Sequence, residues 1–188
     1  QPRNRRQAAW IVDDGELRQT AEIDFETFVV HKKVYQDIEF TSELRSDTDN
    51  AIGVIFGYQN ENNYYRLVFL PEQQCELIKV QNGRLAVISQ SGRNIARGRN
   101  YSVKTRLESG VGLGTGLRIQ VFVNAQRWLD HTEQATRQSK PFTKGQIGLY
   151  CHANPGARFG SVQIHRFGAL QQAEFADPAW LTTYKPNF

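Results

Sequence analysis

Three carboxylates alternate with apolar residues in Glu22-Ile23-Asp24-Phe25-Glu26. Alternate side chains of an extended strand share one face and follow each other at about 7 Å, so this spacing would line three acids along one surface. Carboxylates so placed could serve as acid, base or nucleophile, which makes Glu22, Asp24 and Glu26 candidates for chemistry. The same alternation also describes the solvated face of a half-exposed strand. A second set, Asp47, Asp49 and Asn50, puts three oxygen-bearing side chains within four residues of a loop. Calcium takes roughly six to eight hard oxygen ligands, and this loop would supply several of them. The third set is aromatic and amide-rich: Tyr58, Gln59, Asn63, Tyr64, Tyr65, Arg66, Trp128, Tyr150 and His152. Rings stack on the C–H faces of sugars while amides and arginine hold hydroxyls. Tyr65, Arg66, Trp128 and Tyr150 are the leading ligand-binding candidates. Alternation predicts that either Tyr64 or Tyr65 faces a core.

Other chemistries lack their residues. No Ser/His/Asp arrangement, phosphate loop or Cys/His metal cluster is present. Cys75 and Cys151 are too few for a disulfide scaffold. One bridge between them needs Cα atoms within about 7 Å; two buried thiols are the alternative.

The elements that must position these residues read as strands. In Ser46 to Leu70, SDTDNAIGVIFGYQNENNYYRLVFL, an acidic loop leads into a strand, a polar turn at Asn60–Asn63 and a second strand. Period two predicts Ile52, Val54, Phe56 and Tyr58 on one face, with Gly53, Ile55 and Gly57 on the other. Asp14-Gly15 and Asn82-Gly83 mark tight hairpins. From Val34 to Leu44 the pattern sets Val34, Ile38, Phe40 and Leu44 against Tyr35, Asp37, Glu39 and Thr41. Tyr101 to Glu108 and Leu117 to Asn124 alternate in the same way, and Gln146–Cys151 and Arg158–Arg166 supply the last strands. Only the polar piece Thr132 to Ser139 has any helical pattern. Ten or more short strands with Gly- and Asn-rich turns predict an all-β, two-sheet antiparallel sandwich.

The hairpin wording resembles the concanavalin A-like jelly rolls of the laminin G and thrombospondin C-terminal type, and bacterial extracellular modules related to them. Trp10–Leu17, Leu77–Gly83 and Gly145–Tyr150 fit the same pattern, so the resemblance covers roughly Trp10 to Arg166. It implies a jelly roll and leaves the activity open, because one fold hosts many functions. Calcium binds at comparable loops in such families. The late segment that often contributes an acid there reads Ala157-Arg158-Phe159-Gly160-Ser161 here, without one. EIDFE also resembles the ExDxE strand motif of laminarinase-like and lichenase-like retaining glycosidases, which share the jelly roll. That resemblance implies Glu22 as nucleophile, Glu26 as acid/base and Asp24 as the residue tuning the pair. In those enzymes the motif lies on a middle strand, whereas only 21 residues precede Glu22 here.

Length and charge narrow the expectations further. At 188 residues without a Pro- or Ser-rich linker, one domain is expected: a basic arm over 1–9, a jelly roll over 10–167 and an extended aromatic tail over 168–188. No apolar run reaches the roughly 18 residues of a membrane span. Net charge is +4, but the cations are scattered apart from Arg3, Arg5 and Arg6, and no nucleic-acid motif accompanies them. A chain starting at Gln1 and holding no methionine is expected to be a processed or excised form. The tail carries Phe175, Trp180, Tyr184 and Phe188, and such aromatic density predicts packing on this domain or a neighbouring copy. The expected function is that of a secreted, extracellular or cell-surface, non-catalytic module binding polysaccharide or an extracellular protein surface. The alternatives are a structural subunit self-assembling through its termini and a retaining β-glucanase-like hydrolase.

Overall fold

The computed structural model describes residues 8–166, 169–173, 180 and 182–184. Among them the regular elements are strands, and none is an α-helix. A first hairpin joins β1 (Trp10–Asp13) to β2 (Glu16–Gln19) through Asp14 and Gly15, whose φ values of 50° and 74° are the left-handed pair of a tight turn. Next come β3 (Glu26–Val30), β4 (Tyr35–Gln36) and β5 (Ile38–Ser46). The central hairpin is β6 (Ile52–Asn60) with β7 (Asn63–Leu70), followed by β8 (Gln74–Gln81) and β9 (Arg84–Ser91). Asn82 and Gly83 close that last pair in the same left-handed way. Then come β10 (Tyr101–Val111), β11 (Gly116–Val123), β12 (Gln126–Glu133), β13 (Lys144–His152), β14 (Ala157–Arg166), β15 (Ala169–Ala173) and β16 (Thr182–Tyr184).

Two eight-stranded sheets face each other. The first runs β1-β2-β14-β5-β10-β11-β12, with β15 also on β14; the second runs β16-β3-β13-β6-β7-β8-β9, with β4 also on β13. The described pairings are antiparallel, as the alternation requires. Ile52, Val54 and Phe56 of β6 and Tyr65, Leu67 and Phe69 of β7 meet Phe40, Leu44, Val103, Ile119 and Ile164 of the first sheet in the core. Each such side chain contributes roughly 1.5–3 kcal/mol on burial.

The second sheet also carries a second apolar cluster, formed by Phe28, Val30, Ala51, Ile55, Tyr64, Val68, Ile78, Val80 and Tyr150. Its members alternate with core residues along β3, β6, β7, β8 and β13, so they lie on the face turned away from the first sheet. These strands are therefore apolar on both faces.

The observed chain departs from strict alternation at three points. Gly57, at φ 59°, forms a bulge in β6. The extra residue reverses the faces, and Tyr58 joins the outer cluster instead of continuing the line of Phe56. Asp37, at φ 52°, separates β4 from β5, so Tyr35 is buried and Val34 exposed, the reverse of the expected pair. EIDFE is not a strand: Glu22–Phe25 is an irregular bend between β2 of the first sheet and β3 of the second. Gln19 Nε2 donates to the carbonyl of Ala21 in that bend at 2.9 Å, and Ile23 is buried. The piece Thr132–Ser139 ends β12 at Glu133 and continues as a turn closed by Thr136 and Ser139.

At the C-terminus, β16 pairs with β3 at the edge of the second sheet. Trp180 is buried, its ring centroid 5.0 Å from that of His31. The tail is thus attached to its own domain at these points. Arg3, Arg5, Arg6, Phe175 and Phe188 lie outside the described residues.

Candidate functional site

The outer face of the second sheet brings one carboxylate, one guanidinium and one phenol into contact. Glu26 opens β3, Tyr150 stands on the adjacent β13, and Arg66 projects from β7, beyond β6. The strand between them carries Gly53 in register with Tyr150 on one side and Val68 on the other. A Cβ at Gly53 would lie 1.9 Å from the carbonyl oxygen of Leu67. Only glycine therefore fits, and it leaves no side chain between Arg66 and Glu26.

Arg66 Nη1 donates to Glu26 Oε1 at 2.5 Å and to the Tyr150 hydroxyl at 3.3 Å. The Tyr150 hydroxyl in turn donates to Glu26 Oε1 at 2.9 Å. The guanidinium also lies 5.1 Å from the Tyr150 ring centroid, a cation–π distance. Only 6% of Arg66 is exposed. Burial opposes its charge, but the Tyr150 hydroxyl and the Glu26 carboxylate outweigh that and hold the guanidinium above its ordinary range. For Tyr150, burial pushes the phenol up, against Arg66 and with the aid of Glu26, so it stays a neutral donor.

The cluster leaves polar capacity unused. Its three bonds employ Nη1, the phenol and Oε1 alone. Among the described residues, Arg66 Nη2 and Glu26 Oε2 take no hydrogen bond, and the buried Arg66 Nε has no partner. An unmade bond at a buried donor costs about 1–3 kcal/mol. Beside this cluster stand Phe28, Tyr58 and Tyr64, whose ring centroids are 5.7 to 5.9 Å apart. Phe28 and Tyr64 are buried and Tyr58 is half-buried, so the donor, the acceptor and the Tyr58 ring are what this face can offer a polyhydroxylated ligand.

The residues singled out from sequence are thus divided. Arg66 and Tyr150 meet here, together with Tyr58 and Tyr64. Tyr65 lies between the sheets, fully buried, stacked on Phe56 at 5.5 Å and donating to Glu133 Oε2 at 2.5 Å. It cannot touch a surface ligand. Trp128 packs edge-on against Phe69 at 6.0 Å, on the first sheet. Of the three acids, Glu26 joins the cluster while Glu22 and Asp24 are exposed on the bend. Phe28, which joins Tyr58 and Tyr64 here, carried no polar signal in the sequence.

The acidic loop is tied by arginines. Asp47 pairs with Arg45 at 2.6 Å and Arg158 at 2.9 Å, and Asp49 with Arg97 at 3.6 Å. Asn50 Nδ2 donates to the carbonyl of Ala153 at 2.6 Å. Among the described residues no three His, Cys, Asp or Glu converge as a metal site would. Cys75 and Cys151 are free, buried thiols.

Comparison with known proteins gives this geometry a setting. Residues 1–165 match the 3-keto-alpha-glucoside-1,2-lyase-like domain family. No curated protein sequence matches. The fold is similar to carbohydrate binding module CBM66 from Bacillus subtilis, with TM-score 0.70 and 18% identity over 85% of this chain and 92% of that one. It is also similar to a galectin-like protein of unknown function from Bacillus subtilis, with TM-score 0.68 and 14% identity over 86% and 88% of the two chains. A legume lectin-like domain from Entamoeba histolytica follows, with TM-score 0.60 and 10% identity over 87% and 89%. These likenesses show the jelly-roll sandwich in its galectin- and lectin-like forms, broader than the laminin G type that the hairpin resembles.

Proposed function

Because this chain belongs to the 3-keto-alpha-glucoside-1,2-lyase-like domain family, we propose that the outer face of its second sheet recognises carbohydrate. The observation that carries this reading is the pairing of an unused donor, Arg66 Nη2, with an unused acceptor, Glu26 Oε2, beside the half-buried ring of Tyr58. A sugar hydroxyl is donor and acceptor at once. It can accept from the guanidinium and donate to the carboxylate, while a pyranose C–H face rests on the half-buried Tyr58. The carbohydrate-binding module among the similar folds supports the reading. Polysaccharide outside the cell or at its surface is the ligand this face suits. A glycan array probed with the whole chain tests it: retention of a defined sugar class supports the reading, and uniform absence of binding contradicts it.

A second reading is favoured by the 2.9 Å bond from Tyr150 to Glu26 and by the family's name. A ketone at C3 of a glycoside acidifies the proton on C2. Glu26 would take that proton, Arg66 would hold the developing enolate oxygen, and Tyr150 would protonate the glycosidic oxygen as the C1–O bond breaks. The C2–H and C1–O bonds are lost and a C1=C2 double bond forms, with no oxidant consumed. The conjugated product absorbs in the near ultraviolet. Its appearance with wild type but not with Glu26→Gln supports an elimination, and its absence with wild type leaves binding as the function.

A further inference from the structure

A separate groove of about 1010 Å³ opens along the sandwich edge between β9 and β12, the last strands of the two sheets. It stands at the upper end of the roughly 300–1,000 Å³ usual for ligand sites. Its floor is Lys79, 4% exposed, with the ammonium fixed by Glu133 Oε1 at 2.5 Å, Ser139 Oγ at 2.7 Å and the carbonyl of Lys140 at 2.9 Å. All three of its protons are therefore spoken for. Glu133, the carboxylate in the lining, is equally committed, because its second oxygen accepts from Tyr65. The floor is neutral and rigid.

Of the remaining lining, Gln81, Thr136 and Ser139 are tied to one another and to the turn backbone, and the rest offers free polar groups. Among the described residues, the Arg84 guanidinium, the His131 ring and the amides of Gln134 and Gln138 take no hydrogen bond. Arg84 has no ion-pair partner there either, so its charge is the uncompensated one in the groove. Amides and an imidazole suit hydroxyls, and a free guanidinium suits a carboxylate. We propose that this groove binds an acidic oligosaccharide, a uronic acid chain, with Arg84 on a carboxylate and Gln134, Gln138 and His131 on hydroxyls. It is a second site, independent of Arg66.

Titration of oligogalacturonate into the whole chain, with a neutral oligosaccharide of similar length as control, decides this. Wild type should bind the uronate more tightly than the neutral chain, and added salt should weaken binding because an exposed charge pair is screened. Arg84→Gln, on an exposed strand edge, should lower affinity about tenfold or more, and His131→Ala should lower it less. Arg66→Gln should leave uronate affinity unchanged, which separates this site from the outer face. No uronate binding by wild type, equal affinity in Arg84→Gln, or loss in Arg66→Gln alone would each overturn the assignment.

Discussion

Arg66 carries the outer face, because its charge is buried and answered by a single carboxylate. Removing it would leave Glu26, whose side chain is 16% exposed, without its counter-ion. Breaking a buried pair costs about 3–5 kcal/mol, and partial exposure of Glu26 sets Arg66→Ala near 3 kcal/mol. Urea unfolding should show that loss, and an unchanged midpoint would mean the pair contributes nothing. Among the described residues, the two cysteines are buried without a partner charge of opposite sign. Burial pushes the Cys75 thiol up to about 12 and the Cys151 thiol higher still. Only the thiolate reacts, so a thiol reagent at pH 8 should label neither in the native protein and both after unfolding. Arg66 and Tyr150 were both singled out in the sequence, and they meet in one cluster. The choice of Tyr65 over Tyr64 was not legible there, because NYYRLVFL is apolar on both faces and alternation alone does not say which face meets the other sheet.

Glycine decides how the elements approach each other. At Gly53 a Cβ would lie 1.9 Å from the backbone oxygen of Leu67, so β6 and β7 could not keep their spacing with any other residue. Gly53→Ala is expected to cost about 3 kcal/mol, the upper part of the usual overpacking range. It should also weaken binding at the outer face, since β6 separates Arg66 from Tyr150 and Glu26. Thermal unfolding of that variant checks the first effect, and a Tm equal to wild type would contradict it. The hairpins at Asp14-Gly15 and Asn82-Gly83 were readable because turn chemistry is local. The bulge at Gly57 and the break at Asp37 were not, because alternation presumes an uninterrupted ladder. The same presumption placed Glu22, Asp24 and Glu26 on one strand, whereas the chain was crossing between sheets there.

For the molecule as a whole, the C-terminal segment completes the sandwich edge. Trp180 is buried in the core cluster and β16 extends the second sheet next to β3, the strand that opens with Glu26. Truncation before Glu174 should therefore destabilise the protein without changing its size. Trp180→Ala alone should cost about 3–5 kcal/mol, as for other buried tryptophans. Dissociation of an oligomer on truncation would instead assign the tail to a neighbouring copy.

Calorimetric titration of the best array glycan into wild type, Arg66→Gln and Tyr150→Phe tests the central claim most directly. Arg66→Gln should weaken binding at least tenfold, about 1.4 kcal/mol, and Tyr150→Phe should weaken it by a smaller factor, with both variants folded by circular dichroism. Wild-type affinity in both folded variants would contradict recognition of carbohydrate at this face.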